Sequence, residues 1–265
     1  MSEPLVSIIT IVYNGERYIE HAISSVLDQT YSNIEYIVID GGSNDNTTAI
    51  INKYRHRIAK FISEDDRGIS DAFNKGIEMA NGYWIGILNA DDWYEKDAVE
   101  RAVKNGEAAD VIYGDMRLWN DDEPDFVIKG NHLLLEREMT INHPTVFVRR
   151  LCYEKLGLFD EQYRCAMDYD MLLRLKINGS RFVHVPAVLA NMRWGGFSDA
   201  KWMIGCKETL AIKNKYLSNR KLMNRLYFYK HVLAIALPKF LTRVHLHSIV
   251  KMYRSRFSKM KKVYH

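Results

Sequence analysis

Cysteine, proline and long apolar runs are all scarce in this chain, and each shortage excludes something. Three cysteines, Cys152, Cys165 and Cys206, are too few and too irregularly spaced for a disulfide framework or a zinc site, which points to a reducing compartment and structural thiols. With five prolines in 265 residues there is no low-complexity linker, and no internal repeat is visible. The most apolar stretch of the C-terminal third, residues 232–237, is too short to span a bilayer. The opening Met-Ser-Glu-Pro has no basic n-region, so a secretory leader is not expected and a cytoplasmic location is. Acid is the last thing missing: after Ala200 a single one, Glu208, faces 16 Lys and Arg.

What is present divides accordingly. Residues 1–200 carry 32 acids against 21 bases, so a net charge of +4 conceals an acidic body and a basic tail. Hydrophobic content of 47% supports one sizeable core. A basic tail patterned as helix suggests attachment to an anionic surface, either membrane or nucleic acid. Leu246, Ile249, Val250, Tyr253, Phe257 and Met260 fall at helical spacing, with Lys251, Arg254, Lys261 and Lys262 largely off that stripe, as in helices that lie in a membrane interface. The tail has no recognisable nucleic-acid motif and the acidic body would repel a polyanion, so the expectation is membrane and no nucleic acid.

Along the body, apolar β-branched runs alternate with helical spacing. Residues 5–13 read as a strand buried on both faces, closed by Asn14-Gly15. A helix over 18–27 and a strand over 34–39 ending at Asp40 complete a βαβ unit. The turn Asp40-Gly41-Gly42-Ser43-Asn44-Asp45 leads to a helix capped at Asn46 or Thr47. A strand over 58–63, an acidic loop at Glu64-Asp65-Asp66, and a helix with Ile69, Phe73, Ile77 and Ala80 on one stripe follow. Then Tyr83 to Leu88 runs into Asn89-Ala90-Asp91-Asp92. This pattern predicts an open, mostly parallel α/β sheet that gathers Asn14, Asp40, Asp66 and Asp91 along one edge, where ligands bind in such sheets. Two carboxylates at a strand end suit a hard divalent cation with phosphate, or equally the cap of the next helix.

Later elements read as a helix over 96–105, a strand over 110–113, a hairpin or loop over 120–138, a strand over 143–148, a helix from about 151 and a turn at residues 157–160. In the helix opening at Asp168-Tyr169-Asp170, Asp168 heads the stripe of Met171, Leu172 and Leu175, so it should face inward. Asp170 should face solvent and pair with Arg174. A strand over 182–185 and a Gly-rich loop from Arg193 to Ser198 end the body.

Residues 6–198 resemble the family-2 glycosyltransferases. The resemblance is carried by the opening strand to Asn14, the turn at 40–45, the run from Asp66 through Gly76, Asn89 to Asp92, His143-Pro144, the turn at 157–160, and Asp168 through Arg174, all in the family's order. It implies a GT-A fold over residues 1–199, with a donor part to about 115 and an acceptor part beyond, followed by the basic helical region 200–265. It also implies an inverting enzyme that moves a sugar from a nucleotide sugar, of UDP type, to a lipid-linked glycan during bacterial O-antigen, capsule or exopolysaccharide synthesis at the inner face of the membrane.

By the same resemblance Asp40 contacts the base or ribose, with the backbone from Thr10 through Val12 and Tyr13 to Asn14 framing it. Asp71, Asn74 and Lys75 lie near the donor. Asn89-Ala90-Asp91 stands for the Asp-x-Asp motif, Asp91 and Asp92 hold Mg²⁺ or Mn²⁺, and Asp168 is the base. Arg193 is a candidate for the diphosphate, and His143, Asp170, Trp194 and Ser198 for the acceptor side. Asn89 removes one charge from the metal motif, and Met167 leaves one acid where the family has a pair. Structural readings stand beside several of these: a turn for Asp40, an i, i+4 pair for Asp71 and Lys75, a core histidine for His143, loop roles for Arg193 and Ser198. The rival functions are a nucleotidyltransferase, for which the first loop lacks a Gly-rich basic phosphate cradle, and a non-catalytic membrane-docked module.

Overall fold

The computed structural model describes residues 3–120, 123–194 and 201–243. Three parallel strands, β1 (Val6–Val12), β2 (Ile34–Asp40) and β3 (Lys60–Ser63), alternate with helices α1 (Ile19–Leu27), α2 (Thr47–Lys53) and α3 (Ile69–Met79). The strand β4 (Trp84–Asn89) adds to the other side of β1, again parallel. After the two-residue β5 (Trp93–Tyr94) and α4 (Ala98–Lys104) the sheet becomes mixed. β6 (Val111–Asn120) makes a hairpin with β7 (Glu123–Ile128), β8 (Val146–Arg149) runs antiparallel between β4 and β6, and β9 (Phe182–Arg193) runs parallel to β6. The order is β3-β2-β1-β4-β8-β6-β9-β5, with β7 beside β6. The expected parallel arrangement thus covers β1 to β4, and the antiparallel pairs come from the half whose periodicity was weakest.

Alternation along each strand divides the core into two layers. On one face Ile9, Ile37, Ile39, Ile85, Ile87, Val111, Val146 and Val148 pack against α3, α5 (Arg150–Leu156) and α6 (Met167–Ile177). On the other, Val6, Ile8, Tyr36, Val38, Trp84, Leu88 and Ile112 pack against α1, α2 and α4. Both faces of β1, β2 and β4 are covered, which is why these strands read as continuous apolar runs.

Two helices follow the body: α7 (Trp202–Tyr216) and α8 (Lys221–Arg243). Ile212 of α7 and Leu217 just after it join the first core layer. α7 thus adds to that core although it lies within the basic region. α8 presents Leu222, Met223, Leu226, Tyr229, Leu233 and Phe240 to the outside, each more than half exposed. Among the described residues no helix is long and apolar enough to cross a membrane. The apolar stripe from Leu246 to Met260, and Ser198, lie outside the described residues.

Candidate active site

In register, Val12, Asp40 and Ser63 are paired neighbours and Ile11 lies beside Asn89, so the four parallel strands end along one line. The loops beyond that line are stitched together. Asn14, in the left-handed region at φ 48, donates its backbone N–H to Ser43 and accepts from the Asn44 N–H through its side chain at 2.9 Å. The Gly15 N–H donates to Thr47 Oγ1, and Glu16 accepts from Asn46. Thr10 and Val12 are buried, the hydroxyl of Thr10 bonded to that of Tyr36, so only their backbones could meet a ligand; Tyr13 is exposed.

Asp40 is fully buried. Its carboxylate accepts from the Ser43 N–H at 3.1 Å, from the Ser43 hydroxyl, and from the Ser63 hydroxyl at 2.6 Å. Those bonds shape the turn, and both carboxylate oxygens are engaged in it. The partly exposed acid nearby is Asp66, which stands over Gly41. Any side chain at Gly41 would run into the Asp66 carboxylate, and Gly42, at φ +79, lies under Asp65.

Asp71, almost buried at the start of α3, pairs with Arg67 at 2.7 Å and Lys75 at 3.2 Å. These cations, with backbone and side-chain hydrogen bonds, outweigh desolvation and hold its carboxyl below the usual range. Lys75 also bonds Glu64, tying α3 to the acidic loop. Asn74 spends its amide on the Phe159 backbone, donating to the carbonyl and accepting from the N–H, both at 2.9 Å. It clamps the 157–160 turn to α3.

At the end of β4, Asp91 is partly exposed and Asp92 is 1% exposed. Asn89 donates to Asp92 Oδ2 at 3.2 Å, and Oδ1 of Asp92 is buried without a hydrogen-bond partner. Burial, then the charge of Asp91, pushes the Asp92 carboxyl well up. Arg193 opposes that rise, and a cation at Asp91 would add to its charge. Among the described residues no cluster of three or more His, Cys, Asp or Glu could cage an ion. The residues fit an ion of the Mg²⁺ type, which takes one or two carboxylates and completes its shell with phosphate and water. Asp91 is the partly exposed acid that could meet such an ion, and Asp92 is its inward-turned neighbour.

Arg193 closes this corner. β5 pairs with β9 through Trp93↔Asn191 and Tyr94↔Ala190, bringing the end of β9 beside Asp91. The Arg193 guanidinium donates to the Asp91 carbonyl at 2.7 Å and to His21 Nδ1 at 3.2 Å, and lies 4.3 Å from the Trp93 ring centroid and 4.5 Å from that of Tyr18. Desolvation, then Arg193, lowers the His21 pKa, so this imidazole is neutral and accepts. Sequence reasoning found Arg193 but not Tyr18 and His21, which sit on the entry turn and outer face of α1 with no motif around them. Trp194 packs near Phe126 and is 44% exposed.

Asp168 lines a pocket with Ile85, Ile87, His143, Val146, Val148, Tyr153, Phe159, Met171 and Leu172. Ile85 and Ile87 share one face of β4, and alternation gives that same face to Asn89. Asp168 thus lies against the face of β4 that ends at Asn89, and the turn with Asp91 and Asp92 follows directly. Burial pushes Asp168 up to about 6, opposed by the Tyr169 N–H it accepts and by its own, and reinforced by the charge of Glu208. His143 stacks on Phe73 and meets Phe159 edge-on, and burial lowers it to about 4, so it is neutral. Asp170 departs from its expected surface position: it is 0% exposed, 3.6 Å from Arg174 and 3.5 Å from Lys215 of α7. The isolated helix does leave this residue on an outer face, but α7 covers that face.

A parallel nucleotide-fold half, acids along its strand ends and a mixed half supplying a buried carboxylate define a GT-A architecture. Residues 7–172 match the glycosyl transferase family 2 pattern, and the chain belongs to that family. Over 232 residues it is 31% identical to the hyaluronan synthase of Pasteurella multocida, across 84% of this chain but only 23% of that much longer protein. It is 30% identical over 213 residues to a PGL/p-HBAD biosynthesis glycosyltransferase of Mycobacterium bovis, covering 75% of this chain and 81% of that one. The mannosyltransferase PcManGT of Pyrobaculum calidifontis, solved with GDP-Man and Mn²⁺, shares the fold with a TM-score of 0.66 at 17% identity, over 98% of this chain and 77% of that one.

Proposed function

We propose that this glycosyltransferase is an inverting enzyme that moves a sugar from a nucleoside-diphosphate sugar, of UDP type, to a hydroxyl of a lipid-linked glycan in bacterial surface-polysaccharide synthesis. The reading rests on one observation: Asp168 lines a pocket against Ile85 and Ile87 of β4, and the same strand runs out at Asn89 into the turn that carries Asp91 and Asp92. The donor diphosphate lies at Asp91 and Arg193. Asp168 takes the proton of the acceptor hydroxyl as its oxygen attacks the anomeric carbon, and the bond to the diphosphate breaks with its electron pair on the departing phosphate oxygen. Attack opposite the leaving group inverts the anomeric centre. A divalent cation, Mg²⁺ or Mn²⁺, held by Asp91 would stabilise the charge that develops on the diphosphate.

In this reading the carboxyl near 6 keeps Asp168 ionised at neutral pH while leaving it a stronger base than an ordinary aspartate. The protein is cytoplasmic and peripheral on the inner membrane face. What supports this is α8, whose exposed Leu222, Leu226, Tyr229, Leu233 and Phe240 follow helical spacing beside Lys221, Arg225 and Lys230, with no acid after Glu208.

Melting shifts with a panel of UDP- and GDP-sugars and Mn²⁺ identify the donor. Asp168→Asn then abolishes acceptor-dependent release of the nucleoside diphosphate, and sugar transfer to the glycoside acceptor, while the donor-induced shift persists. Wild-type turnover in that variant overturns the assignment. Leu226→Ser with Leu233→Ser reduces co-sedimentation with vesicles containing anionic lipid, and unchanged co-sedimentation overturns the membrane reading.

A further inference from the structure

The one acid of the basic C-terminal region is spent on the loop that leads to Asp168. Glu208, partly buried on α7, accepts the backbone N–H of Arg164 at 2.9 Å through Oε1, and those of Cys165 at 2.8 Å and Ala166 at 2.9 Å through Oε2. Ala166 is the residue before α6, so these donors belong to the entry of the helix whose second residue is Asp168. These three amides precede the helix and lie outside its hydrogen-bond ladder, and Ala166, at the N-cap, offers no side-chain acceptor that could tie the loop down. A carboxylate more than forty residues away does so instead.

We propose that Glu208 is a positioning residue for Asp168. By gathering three consecutive amides it fixes the entry of α6, and with it the direction in which Asp168 enters the pocket below β4. α7 is held on the same helix from its other end, where Lys215 faces Asp170 at 3.5 Å and Asp160 at 3.4 Å. The first helix of the basic region is therefore part of the catalytic apparatus. The inference rests on Asp168 being the base, and extends that reading to a helix outside the 7–172 match.

The charged and titratable groups around Asp168 are Glu208 from α7, Cys165 on the entering loop, Tyr153 from α5 and His143 from the turn before β8. Of these, Glu208 is the like charge that raises its carboxyl.

The test uses the full chain, the donor that gives the largest melting shift in the panel, Mn²⁺ and glycoside acceptors. In Glu208→Ala, kcat falls roughly 10- to 100-fold, as a misplaced base requires, with the KM for donor unchanged. Hydrogen exchange at residues 164–166 accelerates. Glu208→Gln keeps an acceptor oxygen and loses the charge, so it recovers most of kcat while the acidic limb of the pH profile moves to lower pH. Lys207→Ala, exposed one residue away, changes none of these. Unaltered exchange at 164–166 in Glu208→Ala, or an unmoved acidic limb in Glu208→Gln, overturns the proposal. Activity in Asp168→Asn instead overturns the base assignment, so the two failures are distinguishable.

Discussion

Asp40 and Asp170 are both completely buried carboxylates, and they are held in opposite ways. Asp40, in the donor half, receives hydrogen bonds from Ser43, three residues on, and from Ser63 on the neighbouring strand. Asp170, in the acceptor half, accepts no well-formed hydrogen bond among the described residues and is balanced by two cations at about 3.5 Å, one on its own helix and one on α7. The edge at β1 to β3 is held by bonds within and between the loops of neighbouring strands, whereas α6 depends on a segment that arrives late in the chain. Removing a local hydrogen bond loosens a turn; removing a distant cation strands a charge.

The largest expected effect breaks the second arrangement. Lys215→Met leaves Asp170 with Arg174 alone and lowers stability by about 1–3 kcal/mol, less than the ~3–5 kcal/mol of a fully enclosed pair because Lys215 is 43% exposed. Adding Asp170→Asn restores most of that loss in urea unfolding, and additive losses would show that the two do not interact. Asp40→Asn is smaller, about 1–2 kcal/mol, because Ser43 and Ser63 still find one carbonyl oxygen. Its mark is faster hydrogen exchange confined to residues 41–47, and a change spread over α6 would erase the contrast drawn above.

The third effect is a pH dependence. Asp168 holds its proton more tightly folded, near 6, than unfolded, near 3.8, so stability falls as pH rises between those values and is flat above. Asp168→Asn removes this slope. The variant melts with the wild type below pH 4 and above it at pH 7, and parallel curves across that range would place Asp168 in water. Transfer by the wild type rises through the same pH region as the base ionises.

The half built on β1 to β4 was legible in the sequence because its signals are short-range. Continuous apolar strands, Asn14-Gly15 and the 40–45 turn announce parallel strands with polar ends, and Asp91 follows from where β4 stops. Asp168 was legible too, since the stripe of Met171, Leu172 and Leu175 gives its direction. Asp170 was misplaced because periodicity sees one helix at a time, and the face it left to solvent is covered by α7. Glu208 was visible only as a count, the single acid of a basic region, with nothing local to say what it touches. The length of β9 was missed for a related reason: Pro186 and polar residues break its alternation, and its partners are remote strands.

That break in β9 decides where Arg193 points. Between the Tyr113↔His184 and Met116↔Ala190 pairings, β6 advances three residues and β9 six. The surplus is odd, so every side chain of β9 from Ala190 onward stands on the side opposite to the one uninterrupted alternation would assign. The cation beside Asp91 is there by parity. Inserting or deleting one residue in the bulge, without touching a residue of the active site, would turn Arg193 to the other face of the sheet.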